Sequence, residues 1–176
     1  MLSIVKLIVD AIATLLGGAL LLRFWMQAIR VRPPASVAQF TFQLSDWLVR
    51  PLRRIVPGVG GYDCASLIGA FLIVLLATSV MYLAGWTTPL VLLMAFQRFL
   101  EWILYGFMAL LVIEAIFSWV NPHAPLAPFV RALNEQLLRP LRRVVPLVGN
   151  LDLSLLVALI LLQIALLVLG MLFSGR

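Results

Sequence analysis

Four long apolar runs leave this chain little choice of fold. A backbone surrounded by lipid must satisfy its own N–H and C=O groups, so a segment of about 20 mainly apolar residues crosses a bilayer as a helix. Residues 153–173 carry no charge, with only Ser154 and Gln163 notably polar, and residues 64–83 are also uncharged. Residues 7–29 have an uncharged centre, 11–22, between Asp10 and Arg23; residues 99–120 have one, 102–113, between Glu101 and Glu114. Gly85-Trp86-Thr87-Thr88-Pro89 reads as the turn between the second and third helices. Residues 90–97 either lengthen the third helix or lie at the interface. With 64% of its 176 residues hydrophobic and 11% charged, the chain lacks the polar surface of a soluble domain, in which about 25% of residues are charged. The same excess excludes disorder, and the single cysteine, Cys64, excludes a disulfide scaffold. The first run reads as a retained helix rather than a signal peptide, because Arg23-Phe24-Trp25-Met26-Gln27 stands where a small-residue cleavage site would be needed.

The net charge of +6 comes from twelve arginines and Lys6 against seven acids. Arg30, Arg32, Arg50, Arg53 and Arg54 fall between the first and second runs, and Arg131, Arg139, Arg142 and Arg143 between the third and fourth. The short turn at 85–89 holds no basic residue. Basic loops stay on the cytoplasmic side, so both basic loops are expected inside and both termini outside. Their natural counterpart is anionic lipid rather than nucleic acid.

The basic loops are copies of each other. Arg50-Pro51-Leu52-Arg53-Arg54-Ile55-Val56-Pro57 returns 89 residues later as Arg139-Pro140-Leu141-Arg142-Arg143-Val144-Val145-Pro146. In that register Gly60 meets Gly149 and Asp63 meets Asp152; upstream, Phe40 meets Phe129, Leu44 meets Leu133 and Asp46 meets Glu135. Shifted by two, Asp10 falls on Glu101 and Arg23 on Glu114. The expected architecture is an all-α membrane protein of four transmembrane and two interfacial amphipathic helices. It is built as tandem repeats, residues 1–88 and 89–176, each helix, basic amphipathic loop, helix. Two crossings per copy return the chain to its starting side, so the repeats are expected to be parallel.

Val37, Phe40, Leu44, Trp47 and Leu48 fall at helical spacing, as do Leu126, Phe129, Val130, Leu133 and Leu137. The opposite faces carry Gln39, Gln43 and Asp46, or Arg131, Asn134 and Glu135. Pro33, Pro34, Pro125 and Pro128 mark the helix starts. Asp46–Arg50 and Glu135–Arg139 are spaced as i, i+4 ion pairs. Such helices either lie in the headgroup layer, apolar face down, or pack on the ends of the spanning helices, and the two arrangements are compatible.

The doubled Arg-Pro-Leu-Arg-Arg-x-x-Pro-x-x-Gly-x-x-Asp, with Gln39-Phe40 before the first copy and Phe117-Ser118-Trp119-Val120-Asn121-Pro122 before the second, resembles the YggT family of small integral membrane proteins. The resemblance covers nearly the whole chain. It implies a bacterial membrane protein with chloroplast relatives. Its implied associations run from osmotic or ion stress to division-linked gene neighbourhoods, plastid nucleoid distribution and cytochrome maturation. It also implies an arginine where this chain has Glu114.

Arg50, Arg53, Arg54, Arg139, Arg142 and Arg143 are the candidates for lipid or partner binding. A guanidinium is a planar fork that grips phosphate through two bonds. The competing readings are that these residues only set topology or that they dock a protein. Asp63 and Asp152 each follow a glycine by three residues and open an apolar helix, which suits an N-cap better than a metal site or proton relay; each is also within reach of an arginine of its own loop. Arg23 and Glu114 lie inside spanning segments, where ionisable groups are costly. Opposite charges at matched depth predict an ion pair between them, against snorkelling of Arg23 or a transport path lined by Glu114. Asp10 and Glu101 read as solvated outer ends near Lys6 and Arg98. Gly17, Gly18 and Gly106 read as points of close helix approach. His123 is the only histidine, so zinc is not expected.

No nucleophile–base–acid set, P-loop, zincin or haem-attachment motif is present. The expected function is a non-enzymatic membrane module, without catalytic, metal or cofactor site. It would organise anionic lipid and membrane or cytoplasmic partners, further copies of itself among them, at the cytoplasmic face. The alternative is an ion or osmolyte channel or transporter component.

Overall fold

The computed structural model describes residues 2–56, 58, 60–145 and 152–174. Its helices are α1 (Leu2–Ala28), α2 (Ala35–Ile55), α3 (Cys64–Ser79, continued by a 3₁₀ segment Val80–Ala84), α4 (Thr88–Val120), α5 (Ala127–Arg142) and α6 (Leu153–Ser174). There is no strand among the described residues. Four stretches are long and apolar enough to cross a membrane: Ser3–Ala28, Cys64–Ala84, Thr88–Val120 and Leu153–Phe173. Most of their surface is uncovered, with at most 33% of the most apolar stretch of any one buried. Side chains such as Leu76, Leu167 and Met171 stand exposed, which is stable for a helix in lipid and not for one in water. Residues 90–97 lengthen the third spanning helix. At 33 residues α4 is about 50 Å long, well beyond the ~30 Å hydrocarbon layer.

The chain forms two compact units: residues 1–30 with 35–102, and residues 31–34 with 103–176. In the first, α1 packs along α3 and both pack on α2. The buried side of α3 is built from small residues, Ala65, Ser66, Gly69, Ala70 and Ala77 among them, which lets helix backbones approach closely in a bilayer. Gly69 faces Leu20 of α1 and Leu48 and Leu52 of α2. Phe71 of α3 meets Phe99 of α4 edge to face, 5.4 Å between ring centres. In the second unit, Leu111 of α4, Leu138 of α5 and Leu155, Ala158 and Leu162 of α6 form the core.

The amphipathic helices begin as their prolines predict, α2 directly after Pro33-Pro34 and α5 with Pro128 in its first turn. Both run on through the motif proline, Pro51 or Pro140. Their burial differs. On α5 Phe129, Val130 and Leu133 of the expected stripe are buried, but Leu126 is exposed and Asn134, expected on the polar face, is buried too. On α2 the buried positions are Thr41, Ser45 and Val49, while Phe40 and Trp47 are more than half exposed. This corrects the expected apolar stripe of α2. The small side chains face α1 and α3, and the aromatic ones project outward, as suits a helix bordered by lipid as well as protein.

Of the glycines read as close-approach points, Gly17 is one: a Cβ there would collide with the Trp102 ring, whereas Gly18 and Gly106 face open space. Gly17→Ala is therefore expected to cost about 1–3 kcal/mol through overpacking. Gly18→Ala should be neutral or slightly stabilising. Thermal unfolding of the two variants in detergent separates them.

Candidate functional site

The arginine motif ends α2, and the residues around it form an ionic network with α1 and α3. Arg23, 6% exposed, lies five residues before the end of α1. Its Nη1 donates to Ser45 Oγ at 2.7 Å and to Asp46 Oδ1 at 2.7 Å. Its Nε is 3.5 Å from Asp63 Oδ2, and its guanidinium lies over the Phe42 ring at 4.8 Å. The Ser45 hydroxyl in turn donates to the Thr41 carbonyl at 2.7 Å. Arg50 Nη2 donates to the other Asp46 oxygen at 2.7 Å. The Asp63 carboxylate, 3% exposed, is gripped by Arg53 through Nη2 at 2.6 Å and Nε at 3.2 Å, and accepts from Ser66 Oγ at 2.6 Å. Arg53 also reaches Gln27 of α1 at 3.4 Å. A buried charge is tolerated when it is paired. The partners of Arg23 come from α2 and the start of α3, while its Nε, 3.5 Å from Asp63, makes no hydrogen bond.

Gly60 and Gly61 make this possible. Both lie in the left-handed region, φ 64° and 85°, which is open to glycine without steric cost. They turn the chain so that Asp63, at the start of α3, returns beneath Arg53.

The second unit builds the matching network with the charge inverted. Glu114, 6% exposed, accepts from Asn134 Nδ2 at 2.8 Å and from Arg142 Nη2 at 3.3 Å. Asn134 Nδ2 also donates to the Leu110 carbonyl at 2.9 Å. Arg142 extends Nη1 to Glu135 at 2.8 Å and Nε to Asp152 at 3.0 Å. The other Asp152 oxygen accepts from the Ser154 backbone N–H at 3.0 Å and from the Ser154 hydroxyl. Ser45 and Asn134 stand 89 residues apart, like Arg53 and Arg142. Where α1 brings a cation, the neighbour is a hydroxyl with lone pairs; where α4 brings an anion, it is an amide with N–H donors.

Each of the two intramembrane charges finds partners within its own unit, Asp46 and Asp63 for Arg23 and Asn134 and Arg142 for Glu114. Asp63 occupies the N-cap position of α3, but its side chain makes no cap hydrogen bond, being taken by Arg53 and Ser66. Asp152 does accept a backbone N–H of α6. Asp46–Arg50 forms at i, i+4, whereas Glu135 pairs with Arg142 rather than Arg139. The two arginines of each pair divide: Arg53 and Arg142 are held by carboxylates, while Arg54 and Arg143 are exposed and join no ion pair among the described residues. Sequence reasoning missed Ser45, Ser66 and Gln27. Ser45 belongs to neither the apolar stripe nor the polar face of α2; its repeat counterpart Asn134 is the one signal that could have found it. Pro57, Pro146 and Gly149 lie outside the described residues. Among the described residues no cluster of three or more His, Cys, Asp or Glu side chains is placed to hold a metal ion. The lone His123 has its backbone N–H bonded to Asn121 Oδ1 at 3.2 Å.

Removing Arg53 takes the bidentate partner from a nearly buried carboxylate and leaves it Ser66 and the longer contact to Arg23; removing Arg54 breaks no ion pair among the described residues. Arg53→Gln and Arg142→Gln are expected to cost about 3 kcal/mol each, and Arg54→Gln and Arg143→Gln less than about 0.5 kcal/mol, read as loss of unfolding free energy in detergent.

The same contacts set a pH dependence. The hydrogen bond from Arg23, opposed by burial and helped by Arg50, holds the Asp46 carboxyl below its ordinary range. Burial pushes Asp63 up, but the hydrogen bonds from Arg53 and Ser66 outweigh it and leave it low. At Asp152 burial is likewise outweighed by Ser154 and Arg142. A carboxylate whose folded pKa is depressed stabilises the fold above the unfolded value, about 3.9, and loses that contribution as pH falls through the lower folded value. The Tm is therefore expected to hold from neutral pH to about pH 4 and to fall below it. Asp63→Asn should lower the neutral-pH plateau and flatten the acid fall.

A family model described as CCB3/YggT matches residues 1–84 and 93–173. A Vibrio alginolyticus protein described by its position in the proC 3′ region is 33% identical over 158 residues, 82% of each chain. The Escherichia coli protein YggT is 30% identical over 146 residues, covering 82% of this chain and 78% of its own. A Haemophilus influenzae protein is 30% identical over 154 residues, 87% of this chain and 84% of its own. No solved structure matches.

Proposed function

The chain belongs to the CCB3/YggT family, and from that premise we propose that it is a non-enzymatic module of the bacterial cytoplasmic membrane. It gathers anionic phospholipid headgroups, and through them membrane or cytoplasmic partners, at its two arginine motifs. One observation carries the reading: in each motif copy one arginine is consumed by the fold and its neighbour is left exposed at a helix end. If topology alone were at stake, no such division would be needed. Arg54 and Arg143, with Arg50 and Arg139 one turn earlier, present forked donors beside the membrane surface.

The surroundings support it. Trp47 and Phe40 stand exposed on α2 beside Arg50 and Arg54, and aromatic rings favour the headgroup level. The loop arginines, set against a 85–89 turn without basic residues, orient both motifs to the cytoplasm by the positive-inside rule. A tandem duplication accounts for the pairing of motifs and accords with two matched stretches, one on each half. Two anion-binding motifs, one in each unit, would each hold lipid, or lipid and partner together. Further copies of the chain would extend the array.

Native mass spectrometry of the protein in mixed phosphatidylglycerol and phosphatidylcholine tests this. The wild type is expected to retain phosphatidylglycerol selectively. Each of Arg54→Gln and Arg143→Gln should weaken that retention about fivefold, from about 1 kcal/mol per juxtamembrane cation. Unchanged selectivity in the double variant, or ion flux through pure liposomes containing the protein alone, overturns the proposal.

A further inference from the structure

At the end of the first unit opposite the arginine motif, α1, α3, the 3₁₀ segment and the start of α4 border an open cavity of about 290 Å³. Lys6, Asp10, Trp86, Gln97, Arg98 and Glu101 line it. It lies about 20 Å along α1 from Arg23, counting 1.5 Å per residue. Four charged side chains share one small wall in a segment that is otherwise apolar.

Their pairing leaves two charges over. Arg98 Nη2 bonds Asp10 Oδ1 at 2.8 Å, both about a quarter exposed, and its guanidinium lies over the Trp102 ring at 5.5 Å. Glu101 accepts from Gln97 Nε2 at 2.8 Å, a neutral donor. Among the described residues neither Glu101 nor Lys6 enters an ion pair. Lys6 and Asp10 are one turn apart on α1, and Arg98 and Glu101 one turn apart on α4. With Asp10 and Arg98 level, Lys6 lies outward and Glu101 inward, about 10 Å apart along the helix axes. Glu101 is half-buried on its spanning helix, where an unneutralised ionisable group points to function, and Lys6 stands exposed at the outer end of α1.

We infer that this cavity binds a small zwitterion, an α-amino acid with an apolar side chain, its ammonium on Glu101 and its carboxylate on Lys6. The remaining lining fits the carbon skeleton: Met81, Met94 and Trp86 are apolar or aromatic. The volume sits at the lower end of small-molecule sites, the size of one amino acid rather than a peptide. The order of charges separates this ligand from an ethanolamine phospholipid. In such a headgroup the ammonium is outermost and the phosphate beneath it, the reverse of the order Glu101 and Lys6 demand.

The test is calorimetric titration of the full chain in nanodiscs with L-leucine, leucinamide and N-acetyl-leucine. Leucine is expected to bind, and each analogue, lacking one charge, to bind at least about tenfold more weakly. Glu101→Gln and Lys6→Gln leave the Asp10–Arg98 pair intact and should each weaken leucine about tenfold. Arg54→Gln with Arg143→Gln should leave it unchanged, so failure here and failure of the lipid proposal are distinguishable. Absence of leucine binding by the wild type, equal binding of the three compounds, or a Glu101→Gln variant that binds leucine as the wild type does overturns the inference. So does occupancy of the cavity by phosphatidylethanolamine with leucine unable to displace it.

Discussion

A charge placed inside a lipid-facing helix cannot be left to water, and the geometry of each unit follows from that. Arg23 and Glu114 sit where solvation is expensive, and each is nearly covered. Helices α2 and α5 must therefore bring polar groups to them rather than simply rest in the headgroup layer. That requirement selects Ser45 and Asn134 as the inward residues. It draws Asp63 or Asp152 back over the motif arginine. The apolar packing of α3 and α6 could be met by many sequences; the network admits few.

The same requirement explains why the sign of the charge can change between the halves. What the site conserves is compensation. In the first unit an arginine on the spanning helix meets two aspartates; in the second a glutamate meets the motif arginine, which then also serves Glu135 and Asp152. Arg142 takes on three carboxylates, and its side chain is less exposed than that of Arg53, 30% against 46%. The inverted charge is accommodated by changing one neighbour, serine to asparagine, from hydroxyl to amide.

The spanning helices were legible because hydropathy is local and additive. Residues 64–83 and 153–173 match Cys64–Ala84 and Leu153–Phe173 almost end to end. The amphipathic helices were legible too, but the inward side of α2 was not. Beside a bilayer a helix has two apolar environments, and bulk alone does not say which one Phe40 and Trp47 take. The partners of Arg23 lie 22 and 23 residues away, and no periodicity reports such contacts. The Glu135–Arg139 expectation failed for a related reason. An i, i+4 pair on a helix surface is worth only a few tenths of a kcal/mol, and Arg142, held in place by Glu114 and Asp152, is the better-positioned donor.

An acid inside a spanning helix is often taken as the mark of a transport path. The two acids of α4 show that position alone is not enough. Glu114 is enclosed by an amide and a guanidinium, and what it does chemically is hold α4 to α5. Glu101, thirteen residues earlier on the same helix, accepts from one neutral amide and borders a cavity. The first is compensated by the protein's own side chains; the second is met by a single neutral donor. The distinction between a structural and a functional intramembrane charge thus rests on counting partners around each group, and that count sets Glu114, met by Asn134 and Arg142, apart from Glu101, met by Gln97.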